Sequence, residues 1–438
     1  MSALPNQVNY NEPLLRLPEN TTNFLASALP TNGSTFGPGS IAQVDLQTNR
    51  GFLDPASLSI RYKVKVLSSA VADPAILVGT PVYTFINKFV CYANSQTIET
   101  ISNYNTVANL LTNIKLSTAQ KMGQQYSLGY VGKTTTPVDN EEIDGRTCDP
   151  VLNATTNKYE DEFYLSAPLY SLIGNSEKLI PLFLLQNMRM EFTFESLANI
   201  SSNLTSADGV ATGYEITNFE VVYNVIDFGG EIQRQIMSEN PKILIKTSSY
   251  NTSIAPIANG TNGNINLIYN LRYASIKSAF LNFGGTTVDV SANKNMDSYD
   301  ITSGTGDYSL QIAGMSYPQK SLSCLNNKAG IFNELRRAMG SLFSNNNAMA
   351  INTVEFNMSD GDSTSHTIPA KFWVGFNLQK LTIESKAFFS GVSTQNSPIT
   401  AIINTNSATT QAYNAMLIAV YDAIIEIDTQ TKQCVIVS

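Results

Sequence analysis

Residues Glu177 to Phe194 read EKLIPLFLLQNMRMEFTF. The segment joins an unbroken apolar run that no other in the chain exceeds, Leu179 to Leu185 with Pro181 inside it, to a strict alternation. Met188, Met190, Phe192 and Phe194 alternate there with Arg189, Glu191 and Thr193. Three readings compete: a membrane segment, a catalytic strand, or one piece of a repeated β architecture. A helix that crosses the hydrocarbon core needs about 20 apolar residues, so the run is too short. A period of two is the signature of a half-buried strand.

Composition narrows the choice. A length of 438 residues suggests two to three domains, with all-β domains at the long end of the range. Hydrophobic residues make up 43%, enough for large cores, but only 14% are charged, against roughly 25% in an ordinary soluble protein. So few charges protect a monomer poorly from self-association, which points to surface covered by other subunits. The competing reading is an ordinary β protein rich in Asn, Ser and Thr. The net charge is −8, no basic block occurs, and Arg16 and Arg50 are the only cations before Gly51. A nucleic-acid grip through a basic patch or arm is therefore not expected. The stretch MSALPNQVNYNEPLLRLPENTTNF has neither a basic n-region nor an apolar h-region, so the expectation is a soluble chain made in the cytosol. Cys91, Cys148, Cys324 and Cys434 are scattered with no CxxC pair, and read as free, buried thiols. Asn-X-Ser/Thr occurs at Asn20, Asn32, Asn153, Asn199, Asn203, Asn251, Asn259 and Asn357. That is the chance level for a chain this rich in Asn, Ser and Thr, and it carries no information.

The alternation recurs along the chain. In SLSIRYKVKVL, Leu58, Ile60, Tyr62, Val64 and Val66 face one side and Ser59, Arg61, Lys63 and Lys65 the other. VYTFINKFVCYA, YEITNFEVVYNVIDF and KFWVGFNLQKLTIE are read as strands too, joined by turn formers. Regular short strands with turn signals suggest a sandwich or barrel. Two stretches have helical spacing: ISNYNTVANLLTNIKLSTAQKM, with Val107, Leu110, Leu111, Ile114 and Leu116, and AGIFNELRRAMGSLF, with Ile331, Leu335, Met339 and Leu342. The order of elements then repeats. Arg61-Tyr62 in SIRYKVKV matches Arg272-Tyr273 in NLRYASIK, a helix follows in each half, and VVYNVI (Val221 to Ile226) matches AVYDAI (Ala419 to Ile424). Strand, helix and strand in the same order indicate a duplicated domain. Gly229-Gly230 and the polar stretch up to Pro241 place a linker at 231–240. Pro5, Pro13, Pro18, Pro30 and Pro38 work against regular structure, so 1–39 is read as an irregular arm, either wrapped on a neighbour or a disordered tail.

The chain offers little chemistry. His366 is the only histidine, in SDGDSTSHTIP, and Asp360 and Asp362 lie near it. A nucleophilic triad needs a nucleophile beside the imidazole, and this polar loop has no nucleophile elbow. The aspartates also lack the order and distal Glu of a calcium loop. One histidine and isolated cysteines do not build a hydrolytic metal site. ITSGTGDY is Gly-rich but lacks the GK[ST] of a phosphate loop. NEEIDG crowds Glu141, Glu142 and Asp144; a glycosidase needs two carboxylates across a cleft, and carboxylates crowded in one loop read as a solvated tip. Trp373 falls in an alternating strand and reads as core. No catalytic, cofactor-binding or metal-ligating residue is assigned, and no cofactor is expected.

At this point the sequence resembles a family. APLYSLIGNSEKLIPLFLLQNMRMEFTF is similar to the end of the first jelly roll in double jelly-roll major capsid proteins of eukaryotic double-stranded DNA viruses, most closely the virophage, Polinton and Polinton-like virus group. GFLDPASLSIRYKVKV resembles that family's early strand pair, and NKFVCYANSQTIETISNYNTVANLLTNIKLSTAQK the strand and helix that follow. The stretch from NLQKLTIESKAFFSGVSTQNSPIT to YDAIIEID resembles the end of the second roll, and QCVIVS reads as a closing hairpin strand. The resemblance implies an all-β chain of two tandem eight-stranded antiparallel jelly rolls with short helices in the loops: first roll 40–230, linker 231–240, second roll 241–438. It implies a non-enzymatic major capsid protein in the virion, made in the host cytoplasm. Such a protein trimerises into pseudo-hexagonal capsomers that tile an icosahedral shell. Neighbouring capsomers, penton and minor capsid proteins would be its partners, with an inner membrane as one option below the shell. The rival readings are a β-sandwich adhesin or lectin-like attachment protein, and a carbohydrate-active enzyme using Glu141, Glu142 and Asp144. On the capsid reading Pro181 lies in the loop entering a strand and Leu182 to Leu185 pack beneath the roll. Met188 to Phe194 then put one face into its core, and Arg189 and Glu191 form the outer face of that strand, available for pairing with water or a neighbouring element.

Overall fold

A computed structural model describes residues 21–46, 50–68, 75–130, 145–148, 151–153, 158–185, 187–203, 211–285, 298–325, 328–340, 349–357, 370–380 and 389–438. Eight strands carry the first half: β1 (Thr22–Ala28), β2 (Ile41–Leu46), β3 (Ser59–Ser68), β4 (Ile86–Ala93), β5 (Gln96–Ile101), β6 (Lys158–Pro168), β7 (Met188–Phe194) and β8 (Ala211–Asp227). Eight more carry the second: β9 (Lys242–Ile257), β10 (Gly263–Tyr269), β11 (Ile276–Gly285), β12 (Asp307–Ile312), β13 (Met315–Ser323), β14 (Val374–Asn377), β15 (Ile399–Thr405) and β16 (Tyr413–Asp428). In the first half the strands pair in the orders β1-β8-β3-β6 and β2-β7-β4-β5. In the second the orders are β9-β16-β11-β14 and β10-β15-β12-β13. Adding eight to each label converts one half into the other, and every pairing is antiparallel. Each half is thus two facing sheets whose strands alternate between the layers, the jelly-roll arrangement.

The quoted segment shows why. In β7, Met188, Met190, Phe192 and Phe194 are all buried and the residues between them are half-buried. Phe192 meets Phe89 of β4 at 5.2 Å and Phe219 of β8, in the opposite sheet, at 5.0 Å. Those rings join the two layers. In β3, Ile60, Tyr62, Val64 and Val66 are likewise all buried, as is Leu58 just before it. In the second half Phe283 of β11 meets Tyr308 of β12 across the layers at 5.6 Å.

The hairpins β4-β5 and β12-β13 turn on matching pairs of left-handed residues, Asn94-Ser95 and Ala313-Gly314, the conformation favoured by two-residue hairpins. A helix follows each hairpin: α1 (Tyr104–Lys115) in the first half and α3 (Ala329–Ala338) in the second. Between the halves lies α2 (Gly230–Glu239).

Several expectations change. Pro181 is not in a loop: Ile180–Pro181 forms a two-residue edge strand on Phe52–Leu53, a place where a missing N–H costs no ladder bond. Leu182, Leu184 and Leu185 behind it are buried and Phe183 half-buried. Part of the expected arm is ordered sheet, because the proline-free run TNFLASA pairs along β8 as β1. VYTFINKF does not start as a strand, since Pro81–Thr84 forms a helical turn with proline at its first position. The first long helix ends at Lys115 because Ser117 and Gln120 form a capping box that starts a new one. Residues 230–239, which span most of the stretch read as a linker, form a helix. The Arg-Tyr match also dissolves: Arg61-Tyr62 lies within β3, whereas Arg272-Tyr273 precedes β11. The match of Val221–Ile226 to Ala419–Ile424 stands, since both lie in the strand that pairs with the first strand of its half. Cys434–Val437 closes a hairpin on β16, as QCVIVS suggested.

Candidate functional site

The two halves meet along a polar seam. From the first come β5, α1 and the loop 169–175; from the second, the central part of β9. Thr247 Oγ1 donates to the Leu172 carbonyl at 2.5 Å, and Asn175 Nδ2 donates to the Ser248 carbonyl at 2.9 Å. Tyr250 hydroxyl donates to Asn175 Oδ1 at 3.3 Å and accepts from Lys115 Nζ at 3.1 Å. Thr252 Oγ1 donates to the Ser102 carbonyl at 3.1 Å. At one end the Asn94 side chain donates to the Lys432 carbonyl, and at the other Ala350 N–H donates to the Asn113 carbonyl at 2.9 Å.

Glu99 of β5 sits inside this seam. One oxygen accepts the Leu172 N–H at 2.7 Å and the Ser249 hydroxyl. The other oxygen is buried and has no hydrogen-bond partner among the described residues. Burial raises its pKa to about 7, although the bonds from Ser249 and Leu172 favour the anion. Nearby, Lys121 Nζ donates to Asn113 Oδ1 at 2.7 Å and Lys371 Nζ pairs with Glu355 Oε1 at 2.9 Å, all buried. Burial and the adjacent Lys121 push the Lys371 ammonium below its ordinary pKa.

A second feature is an open cleft of ≈ 800 Å³ on the outer face of β2, β7 and β4, lined by Asp45, Tyr92, Ser95, Asn187, Arg189 and Glu191 among others. Arg189 and Glu191, expected on the outer face of the strand and available for pairing, both pair there with neighbouring strands. Arg189 Nε donates to Asp45 Oδ1 at 2.7 Å, and Glu191 accepts from Gln43 Nε2 at 3.1 Å and the Tyr92 hydroxyl at 3.2 Å. Arg189 is thus neutralised by Asp45, while Glu191 keeps its charge and is held by two neutral donors.

The other residues singled out by sequence scatter. Cys91, Cys324 and Cys434 are free and buried; burial pushes Cys434 up to about 11 and Cys324 up to about 12, so neither forms a ready thiolate. Trp373 is fully buried, just before β14. ITSGTGDY is a turn organised by Asp300, which accepts from Thr302 N–H, Gly304 N–H and Tyr308 hydroxyl and pairs with Lys328 at 2.8 Å. Burial alone would raise the Asp300 pKa, but Lys328, Thr302 and Tyr308 outweigh it and hold the carboxyl below its usual value. His366, Asp360, Asp362, Glu141, Glu142 and Asp144 lie outside the described residues. Among the described residues no group of three His, Cys, Asp or Glu is placed to hold a metal, and no helix is long and apolar enough to cross a membrane. Sequence reasoning missed Glu99, Lys121, Glu355 and Lys371, because a single charge whose partner lies far along the chain reads as solvated. Only the uncharged Asn/Thr-rich outer face of α1 hints that this side is covered.

No family model matches the sequence, and no curated protein does either. Solved structures do match. The Faustovirus major capsid protein aligns with TM-score 0.63 at 8% identity, over 97% of this chain and 92% of that one. PBCV-1 VP54, fitted into a reconstruction of the virophage Sputnik, aligns with TM-score 0.61 at 10% identity over 98% and 99%. The mavirus major capsid protein aligns with TM-score 0.54 at 12% identity over 100% and 95%. Together with two eight-strand rolls of identical strand order in one chain, these end-to-end matches identify the fold as the double jelly roll of the major capsid proteins that the sequence resembles.

Proposed function

We propose that the protein is a major capsid protein whose work is self-association, not catalysis. The carrying observation is the pair of rolls, hydrogen-bonded to each other along the seam, on a fold shared over its whole length with viral capsid proteins. Two rolls per chain suit a closed trimer with six similar sides, a block that packs into a hexagonal lattice. We place the first roll from Thr22 to Asp227, the connecting helix at 230–239 and the second roll from Lys242 onward, which moves the start of the first roll ahead of the boundary read from sequence. The low charge fits a particle in which neighbours cover the sides of the rolls. The net charge of −8 and the lack of basic blocks fit a shell that leaves the genome to other components. Virion location, synthesis in the host cytoplasm, and penton and minor capsid partners belong to the same proposal. Electron microscopy of the purified chain tests it, with hexagonal capsomers as the expected result. A strictly monomeric chain under native conditions overturns it.

A further inference from the structure

Two buried lysines at the seam have no role in the assembly proposed above. Lysine is almost never fully buried unless paired, yet Lys121 is 1% exposed and Lys371 4%. α1 ends at Lys115, and the capping box of Ser117 and Gln120 turns the chain into the short helix Thr118–Gly123. That reversal brings Lys121 back onto the last turn of α1, where its Nζ donates to Asn113 Oδ1 at 2.7 Å. With a C=O bond of about 1.23 Å, Nζ is then within about 4 Å of the side-chain carbon Cγ of Asn113. The Tyr130 ring lies 4.7 Å from Nζ, and its hydroxyl meets Thr80 Oγ1 at 2.8 Å. Thr80 donates to Asn109 Oδ1 at 2.9 Å, and Asn113 Nδ2 donates to the same oxygen at 3.4 Å. All of these side chains are buried, so amine and amide are held together away from bulk water.

The second roll adds a carboxyl and an amine to this pocket. Glu355, in the short helix Thr353–Asn357, and Lys371 are tied twice: the Lys371 N–H donates to the Glu355 carbonyl at 3.0 Å, and Lys371 Nζ pairs with Glu355 Oε1 at 2.9 Å. Lys371 Nζ also lies within hydrogen-bonding reach of Lys121, and burial together with that neighbour weakens its hold on a proton. Such an amine can take a proton from the amine beside it. A lysine desolvated next to another cationic group is an activated nucleophile, and here the nearest carbonyl carbon belongs to an amide of the same chain.

We propose that Lys121 and Asn113 form a modification site, at which the folded chain links the two side chains by an isopeptide bond. The hydrogen-bonded pair is the starting state. Lys121 passes one proton to Lys371, and its Nζ attacks Asn113 Cγ. The Nζ–Cγ bond forms and the Cγ–Nδ2 bond breaks. One of the two protons left on Nζ moves through the Glu355 carboxylate to Nδ2, which leaves as ammonia. The proton held by Lys371 departs with it as ammonium. An ammonium and a primary amide thus become a secondary amide and an ammonium ion, with no change of oxidation state and no co-reactant. Holding the reacting groups together removes most of the entropic barrier, and burial keeps water from competing for the amide carbon. The link would join α1 covalently to the helix after it, and it does not depend on the capsid reading.

The test uses the full-length chain, kept folded and then denatured for intact-mass measurement. The expected result is a chain lighter than its sequence by the mass of one ammonia. Trypsin cuts after Lys115 but not after a linked Lys121, so a single branched peptide carrying both Asn113 and Lys121 is expected. That peptide separates the link from ammonia lost at any other asparagine. Lys121→Arg keeps a buried cation and is expected to restore the full mass. Glu355→Gln keeps the size of the side chain but carries no proton, and is expected to slow linkage by about a hundredfold. A wild-type chain that stays at its full sequence mass, or whose lost ammonia maps to another residue, overturns the proposal. Linkage of Glu355→Gln at the wild-type rate overturns the proton path through Glu355.

Discussion

Helices α1 and α3 occupy the same place in the two rolls, yet their surroundings differ. Every residue of α1 from Tyr104 to Ile114 is buried, including Asn105, Thr106, Asn109, Thr112 and Asn113. In α3 only Ile331, Leu335 and Ala338 are buried, and Ala329, Gly330, Asn333 and Arg337 are exposed. The inward stripes do the same job, since Leu110 and Leu335 both pack on a roll core. The outward faces differ because Thr80, Glu195 and Lys121 of the first roll, together with Tyr250 and Ala350 of the second, cover α1, and no described residue of the chain covers α3 in the same way. Buried polar groups need partners, and α1 has them: Asn113 holds Lys121 and the Ala350 N–H. Position in a fold therefore sets which face meets the core, but the neighbour decides what the other face must be made of.

The contrast can be broken most directly in the seam. Glu355→Ala removes the carboxylate partner of the buried Lys371, and losing one partner of a buried pair costs about 3–5 kcal/mol. Urea denaturation is expected to show that loss; a cost below about 1 kcal/mol would mean the pair is not buried in solution.

Next is Glu99, whose folded pKa of about 7 lies above its ordinary value of 4.5. The folded chain then binds more protons than the unfolded one between those values, so stability is greatest below about pH 4.5 and falls as pH rises through 7. The loss is on the order of 3 kcal/mol at most. Glu99→Gln keeps an acceptor but cannot ionise, so its melting temperature is expected to overtake wild type at pH 8 and not at pH 4.5. Parallel pH profiles for the two proteins would rule out this role for Glu99.

A smaller effect sharpens the helix comparison itself. Asn113→Ala on α1 leaves Lys121 short of an acceptor and is expected to cost about 1–3 kcal/mol. Asn333→Ala on the open face of α3 is expected to stay within about 0.5 kcal/mol in a dissociated chain. Equal costs in that form would erase the distinction. Smallest is the cleft: Arg189→Met removes a half-exposed pair with Asp45 and is expected to cost less than about 1 kcal/mol, and less still at high salt.

Much of this was written in local patterns. The period-two runs of β3 and β7, the helices α1 and α3, the closing strand after β16 and the duplication seen in VVYNVI and AVYDAI all follow from side chains that must alternate between core and water. Where local cues compete, sequence misleads. TNFLASA, flanked by prolines, reads as an arm until β8 offers it a ladder. Pro181 reads as a loop until Phe52–Leu53 presents an edge that needs no proton from it.

The sequence by itself determined that this is a β protein in two similar halves with few charges and sparse catalytic means, because alternation, turn chemistry and composition are properties of neighbouring residues. Only the tertiary structure decided that Glu99, Lys121, Glu355 and Lys371 are buried rather than solvated. It also decided that Arg189 and Glu191 are paired, and that one side of each roll is used while the matching side stays open. Those outcomes depend on which surfaces meet across long stretches of chain, and no local pattern records that.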